Sequence, residues 1–392
     1  MRFPQDVPVL TDGTIVLRAH GPQDVTDCLE QCQDPVSQQW TTVPVPYTRE
    51  DAEEFVGTIV PKGWGQGRWA FAVEAPDEEG VRRFCGTVEL RDEGEDRAEI
   101  AYGSHPWARG RGIMEAALRL LLDWGFGERG VRTMIWWANR GNWASRRLAW
   151  RLGFSMDGTL RRWLPQRGEL LDAWVGVLLA DDARSPRTPW LDVPRIVGRH
   201  VVLRAPEERD DAAVVEACSD ERTAHWLAHM PSPYTVDDAR SFREQTMERQ
   251  IAGTAIRWSA ADPETDTVLG NISLFDIKPG REAEIGYWTH PAARGRGLMS
   301  ESCALVVRHA FVDEDDGGLG LRRLILFAAV DNVASRHVAE SVGFVRIGTE
   351  RHGTELRDGS LTDTACYDLL REEWLLSRAD DQSGPRGAPN NR

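Results

Sequence analysis

Two tandem copies of an α/β domain of the α+β type, each with a mixed, mostly antiparallel central sheet flanked by helices, are predicted for this chain by three observations. The sequence repeats itself over nearly its whole length. Each copy runs strand, helical pair, further strands and then strand–helix–strand, an order that calls for a mixed sheet with helices packed on its faces. Each copy also places a Gly-rich turn between an Ala-Glu-Ile strand and an apolar-periodic helix, at 109–114 and again at 294–299.

The repeat has a clear register. Val16-Leu17-Arg18-Ala19 answers Val202-Leu203-Arg204-Ala205, and Ala98-Glu99-Ile100-Ala101-Tyr102 answers Ala283-Glu284-Ile285-Gly286-Tyr287 at an offset of 185. Asn142-Trp143-Ala144-Ser145 answers Asn332-Val333-Ala334-Ser335 at 190, and Gly153-Phe154 and Gly343-Phe344 keep that spacing. The five-residue difference falls in the polar, Gly-rich stretch 313–318, and loops are where duplicated folding units accept insertions. Alternation predicts strands near 69–75, 83–91 and 97–103 of the first copy. A helix near 112–126, a strand near 132–138, a helix near 143–152 and closing strands follow, and the second copy repeats this from about 200. The expected domains are 1–182 and 198–378, joined by a linker at 183–197 bearing Pro186, Pro189 and Pro194. The Gly/Pro/Asn/Arg-rich tail 379–392 is expected to be disordered.

A chain of 392 residues suffices for two ordinary cores, and 41% hydrophobic with 28% charged content describes a soluble globular protein. No apolar run approaches the roughly 20 residues of a membrane span. Met1-Arg2-Phe3-Pro4-Gln5-Asp6 has no signal-peptide core, so a cytoplasmic protein with no membrane partner is expected. A net charge of −15 argues against nucleic acid as the main partner and suits a cationic substrate. The six cysteines are scattered, with neither zinc-site nor disulfide-framework spacing, and no metal is expected.

The Gly-rich turns carry the chemistry. Glycines tolerate positive φ and admit a ligand close to the main chain, and a helix opening just after them presents free N–H groups and the positive end of its dipole. Arg109-Gly110-Arg111-Gly112-Ile113-Met114 and Arg294-Gly295-Arg296-Gly297-Leu298-Met299 therefore read as phosphate cradles, the arginines adding fixed positive charge.

In order along each copy stand Ala-Glu-Ile, His-Pro, Arg-Gly-Arg-Gly before a helix, Asn-x-x-Ser about thirty residues on, and Gly-Phe. This order resembles the GNAT superfamily of acetyl-coenzyme A-dependent N-acetyltransferases, and most nearly its RimJ/RimL branch, over roughly 10–180 and 197–377. The family's cradle pattern ends on a small residue where Met114 and Met299 stand. By that resemblance, the backbone of 109–114 and 294–299 would wrap the pyrophosphate of coenzyme A. Ser104 and His105, like Thr289 and His290, would close a splayed strand whose main chain pairs with pantetheine and holds the thioester oxygen. Both histidines precede proline and equally read as residues that shape the turn. Asn142 and Asn332 would orient pantetheine or water, or else cap the following helix. Ser145 and Ser335 would protonate the leaving thiolate, since the tyrosine that many family members carry seven residues after this Asn is Ala149 and Ala339 here.

Glu99 and Glu284 are the expected bases, because acyl transfer needs a neutral amine and a cleft carboxylate can take its proton. The alternative is a strand-face glutamate paired with an arginine. Asp172 and Asp363 are further candidates to hold a cation, and Trp40, Trp64 or Trp107 to wall an acceptor pocket. Cys303, on the second cradle's helix, is a remote candidate for an acyl-cysteine.

Together these readings imply an N-acetyltransferase that moves the acetyl group of acetyl-CoA, the cosubstrate, directly to a primary amine. The acceptor is a protein N-terminal α-amine or a small cationic amine. The second domain is the expected catalyst, and the first a second active unit or a degenerate partner, in a monomer whose two copies imitate a dimer or in a homodimer. The rival expectation is a non-catalytic acyl-CoA-binding sensor or scaffold.

Overall fold

The computed structural model describes residues 7–382, and the chain divides into two compact units, Met1–Arg187 and Thr188–Arg392. In the N-terminal unit the strands are β1 (Leu10–Thr11), β2 (Val16–Arg18), β3 (Arg68–Pro76), β4 (Arg82–Gly94), β5 (Arg97–Ser104), β6 (Thr133–Asn139), β7 (Gly158–Gln166) and β8 (Glu169–Leu179). They form one sheet in the order β1-β2-β3-β4-β5-β6-β8-β7. Every neighbouring pair is antiparallel except β5 and β6, whose crossover is the helix that follows the cradle. Four short helices, α1 (Val25–Gln33), α2 (Pro35–Trp40), α3 (Arg49–Glu54) and α4 (Val60–Trp64), come between β2 and β3, and α5 (Ile113–Gly127) and α6 (Trp143–Arg151) come later.

The C-terminal unit repeats the plan. Its strands are β9 (Ile196–Val197), β10 (Val202–Arg204), β11 (Ala255–Ala261), β12 (Val268–Lys278), β13 (Glu282–Thr289), β14 (Arg323–Ala329), β15 (Val345–Glu355) and β16 (Leu361–Leu370). They are ordered β9-β10-β11-β12-β13-β14-β16-β15, with β13 and β14 the parallel pair. Its helices are α7 (Asp211–Ser219), α8 (Glu221–Trp226), α9 (Val236–Ile251), α10 (Leu298–Phe311), α11 (Val333–Ser341) and α12 (Arg371–Gln382). Each unit is therefore the expected mixed, mostly antiparallel sheet with flanking helices.

Alternation along the strands and the apolar faces of α5 and α10 build one core per unit. Leu118, Leu121 and Leu122 of α5 pack with Phe71, Leu90 and Trp136, and Val306, Val307 and Phe311 of α10 pack with Trp258, Leu274 and Leu324. The same ion pair anchors the start of both units. Arg18 grips Asp24, and Arg204 grips Asp210 through two parallel bonds of 2.8 Å each. Arg204 and Asp210 are both buried. Burial works against ionisation of Asp210, but the Arg204 guanidinium and hydrogen bonds from Glu207 N–H and Ser259 Oγ together hold the carboxyl below the ordinary range. Removing one partner strands a buried charge, so Asp210→Ala is expected to lose about 3 kcal/mol, read as a lower urea midpoint at unchanged slope.

Part of the expected linker is fastened rather than free. The Trp258 indole N–H donates to Pro194 C=O at 2.9 Å, Ile196 and Val197 pair with Leu203 and Val202, and the Arg187 guanidinium donates to Gly153 C=O at 2.9 Å. α12 runs through Gln382, past the expected start of the tail at 379, and the rest of that tail lies outside the described residues, as do residues 1–6. Among the described residues no helix is long and apolar enough to cross a membrane.

Candidate active site

The parallel pair opens the site. β13 pairs with β14 from Glu282 to Glu284 against Arg323 to Ile325, after which β13 continues to Thr289 against β12 and β14 to Ala329 against β16. The two strands diverge beyond Glu284, and a cleft of about 830 Å³ opens there, its lining including Glu284, Gly286, Trp288, Phe275, Trp226 and Asn332. β5 and β6 do the same, pairing over Arg97 to Ile100 against Thr133 to Trp136.

At the far end of the diverging strand lies the cradle. Gly295 and Gly297 have φ of +71° and +72°, and Gly110 and Gly112 +73° and +75°. A Cβ added at any of the four would meet no protein atom within 4 Å. Gly297 and Gly112 are the N-caps of α10 and α5 and contribute no side-chain cap. The first helical bonds run from Glu301 N–H to Gly297 and from Ala116 N–H to Gly112, so the preceding N–H groups lie ahead of the helical ladder. Such a row of open amides fits a pyrophosphate. Met299 turns into the core, where its Cε fills the space left by the absent side chain of Gly270, and Met114 is half-buried against the core of its own unit. Leu298 and Ile113 are buried.

The first arginine of each motif is already paired. Arg294 pairs with Asp220 and donates to Thr223 Oγ1 at 2.7 Å, while Arg109 pairs with Asp34 at 2.6 Å and donates to Ser37 Oγ at 3.0 Å. The bond from Arg294 holds the Asp220 carboxyl below its usual range. Asp220 and Asp34 cap α8 and α2, so the first arginine of each motif ties the turn to a short helix, its charge already matched. Arg111 lies over the Trp107 ring, 5.1 Å from its centroid. The histidines shape the turn. His290 Nδ1 accepts from Ala292 N–H at 3.3 Å and His105 Nδ1 from Trp107 N–H at 3.4 Å, while their Nε2 atoms face Glu216 and Glu30. Asp27 joins Glu30 and His105, their ligand-type atoms lying within 4.8 Å of one another. Because His290 and Glu216 repeat the contact, it reads as a strand-to-helix tie. Ser104 Oγ donates to the neighbouring His105 C=O at 3.4 Å, and Thr289 lines the cleft.

Asn332 and Asn142 are helix N-caps, accepting from Ser335 N–H at 3.2 Å and Ser145 N–H at 3.1 Å. Each serine meets a tyrosine that sequence reasoning passed over. Tyr287 donates its hydroxyl proton to Ser335 C=O at 2.9 Å, and Ser335 Oγ donates to the Tyr287 hydroxyl oxygen at 3.4 Å. Tyr102 and Ser145 hydroxyls lie 2.7 Å apart, and the Trp136 indole donates to both.

Glu284 stands on β13 opposite Phe275, and no cation pairs with it among the described residues. Burial, then the nearby Asp276, lifts its carboxyl to about 7. Phe275 keeps this position because Gly286 is small: a Cβ there would lie 2.9 Å from the Phe275 ring. Glu99 instead pairs with Arg91 at 3.0 Å.

Asp363 and Asp172 each commit one oxygen to the local turn. Each accepts a backbone N–H at 2.9 Å from a positive-φ bulge residue, His352 and Arg162. Trp64 packs in the core against Phe71 and Trp124, and the Trp107 indole is spent on Phe84 C=O. Trp40 lies against Gly141, at the position matching Trp226 of the cleft. Cys303 is fully buried and burial pushes its thiol up to about 12, which removes it as a nucleophile.

Fold, diverging strands and open cradle define an acyltransferase of the coenzyme A-dependent kind. The chain belongs to the GNAT acetyltransferase family: the family model for the acetyltransferase (GNAT) domain matches it twice, at residues 14–155 and 200–345. It is 31% identical over 182 residues to the "Putative ribosomal N-acetyltransferase YdaF" of Bacillus subtilis (strain 168), covering 45% of this chain and 95% of that protein. It is 32% identical over 94 residues to the ribosomal-protein-serine acetyltransferase of Escherichia coli (strain K12), covering 24% of this chain and 50% of that one. A solved structure of an acetyltransferase (GNAT family) from Bacillus anthracis superposes with a TM-score of 0.40 at 21% identity, over 46% of this chain and 99% of its own.

Proposed function

We propose that the C-terminal unit transfers the acetyl group of acetyl-CoA to a primary amine, the acceptor being a protein N-terminal α-amine. The observation that carries this reading is Glu284, a half-buried carboxyl with no facing cation among the described residues, in the same cleft as the open cradle and the Tyr287–Ser335 pair. The names of the relatives from Bacillus subtilis and Escherichia coli support a ribosomal protein as acceptor.

The amides of 295–299 would hold the pyrophosphate, and the edge of β13 that faces β14, open beyond Glu284, the pantetheine arm. When bound, acetyl-CoA supplies an activated acyl carbon. Glu284, ionised above about 7, takes the proton from the amine, whose nitrogen forms the new C–N bond as the C–S bond breaks. Main-chain N–H groups of the diverging strand stabilise charge on the carbonyl oxygen. Ser335, whose backbone the Tyr287 hydroxyl fixes, stands to return a proton to sulfur.

Mass spectrometry of product formed with an N-terminal peptide, a lysine side-chain analogue and a polyamine, alongside thiol release, tests reaction and acceptor together. Absence of acetylated product from every amine would overturn the reading. Ser335→Ala is expected to lower kcat about tenfold, less than the 10²–10⁴-fold usual for general acids because a thiolate leaves without full protonation, with the KM for acetyl-CoA nearly unchanged. Steady-state kinetics on both substrates checks it, and an unchanged kcat would remove Ser335 from the proton path.

A further inference from the structure

The two units share a donor half and differ in the acceptor half. In both, the cradle glycines hold the same positive φ with open space above them, an Asn caps the next helix, and a Tyr meets a Ser. Across the sheet the likeness ends. Register places Arg91 opposite Glu99 where the C-terminal unit places Phe275 opposite Glu284. Glu89, opposite Ala101, matches Ser273, opposite Gly286. Arg91 reaches Glu99 at 3.0 Å with Nη1 and Glu89 at 2.9 Å with Nε, and Arg68 braces Glu89 at 2.9 Å.

A second difference lies on the same face. Asp172 and Asp363 bond the bulge residues Arg162 and His352, which aligns Trp163 with Gly353, next to Thr354 of the cleft. Trp163 stacks on Trp137 at 5.7 Å between centroids, and Trp137 occupies the position of Phe327, which lines the cleft of the C-terminal unit. A side chain pair thus stands where the other unit has one ring and a glycine.

We propose that the N-terminal unit is a seat for a nucleotide thioester, coenzyme A or its acyl form, whose acceptor position is filled by its own Arg91, so that it binds without transferring. The inference rests on the acetyltransferase reading of the C-terminal unit. A guanidinium occupies the place where an incoming ammonium would be held, and it repels a second cation. It also cannot surrender a proton at neutral pH, so Glu99 has a permanent partner in place of a substrate. Burial lifts Glu99 and Arg91 opposes that lift, whereas nothing opposes it at Glu284. The chain is expected to bind two equivalents of coenzyme A and to turn over at one site.

The test uses the full chain in three forms. Calorimetric titration with coenzyme A is expected to give two equivalents for wild type and for Glu284→Gln, and thiol release with a peptide amine to fall at least tenfold in Glu284→Gln. Adding Arg91→Phe and Glu89→Ser, the residues at the matched positions, is expected to raise thiol release at least tenfold above Glu284→Gln alone. Arg91→Met serves where that double change unfolds the unit, judged by melting and by the second equivalent of coenzyme A. Glu284→Gln with half or more of wild-type turnover would show that the N-terminal unit transfers, and the proposal falls. A single equivalent bound by an active wild type removes the seat. A folded variant lacking Arg91 that still binds two equivalents and stays silent removes Arg91 as the block. Wild type that neither binds coenzyme A nor releases thiol would instead overturn the acetyltransferase reading itself, a different result from any of these.

Discussion

Glu284→Gln is expected to reduce kcat/KM about 100-fold with a lysine-like amine and only about tenfold with an N-terminal α-amine. The difference follows from the acceptors, whose ammonium pKa values are about 10.4 and about 7.7–8.0. The base therefore does more for the first, within the 10²–10⁴-fold range of general-base effects. Wild-type kcat/KM should rise with pH through about 7 as the half-buried carboxyl ionises, and the variant should lose that limb. The same burial has a stability consequence of known sign. The folded carboxyl holds its proton up to about 7 and the unfolded one only to about 4.3, so stability falls as pH rises through that window. Gln does not ionise. The variant should melt ~2–4 °C higher than wild type at pH 8 and at the same temperature at pH 4. Equal kinetic losses with both amines, or no gain at pH 8, would contradict a half-buried, unpaired base.

The repeat made the fold legible. Once Ala98 to Tyr102 and Ala283 to Tyr287 are aligned, the strand–turn–helix order in each copy predicts the cradle, and the helices at 113–127 and 143–151 begin within a residue of where periodicity places them. The cradle glycines were readable because positive φ is a local property of the chain. What was not readable depends on partners far apart in sequence. Arg294 looks like a phosphate ligand until Asp220, 74 residues away, is seen to take its charge. Tyr287 reads as an ordinary strand residue until folding brings Ser335, 48 residues on, to its hydroxyl. Glu99 and Glu284 occupy matched positions, and only the strand opposite separates them: Arg91 in one case and Phe275 in the other. The small strand β9 was missed because two residues carry no alternation to detect.

Gly297→Ala is expected to raise the KM for acetyl-CoA at least tenfold, about 1.4 kcal/mol of lost binding, with kcat at saturation little changed. Two effects have to be separated. An L-residue at φ +72° carries a backbone cost of about 1–2 kcal/mol whether or not a ligand is present. That cost is expected to appear in melting. Gly280, at the β12–β13 turn, has φ of +65° and the same open surroundings, but it lies at the end of β13 away from the cradle. Gly280→Ala therefore reproduces the backbone cost and leaves the KM for acetyl-CoA alone. Because a Cβ at Gly297 meets no protein atom within 4 Å, the atoms it crowds are those of a ligand seated on the amides of 295–299. Melting losses of similar size in the two variants, with a KM change in Gly297→Ala only, would place the nucleotide on main-chain N–H groups rather than on Arg294, whose charge Asp220 already matches. An unchanged KM in a folded Gly297→Ala chain would mean that the pyrophosphate lies elsewhere.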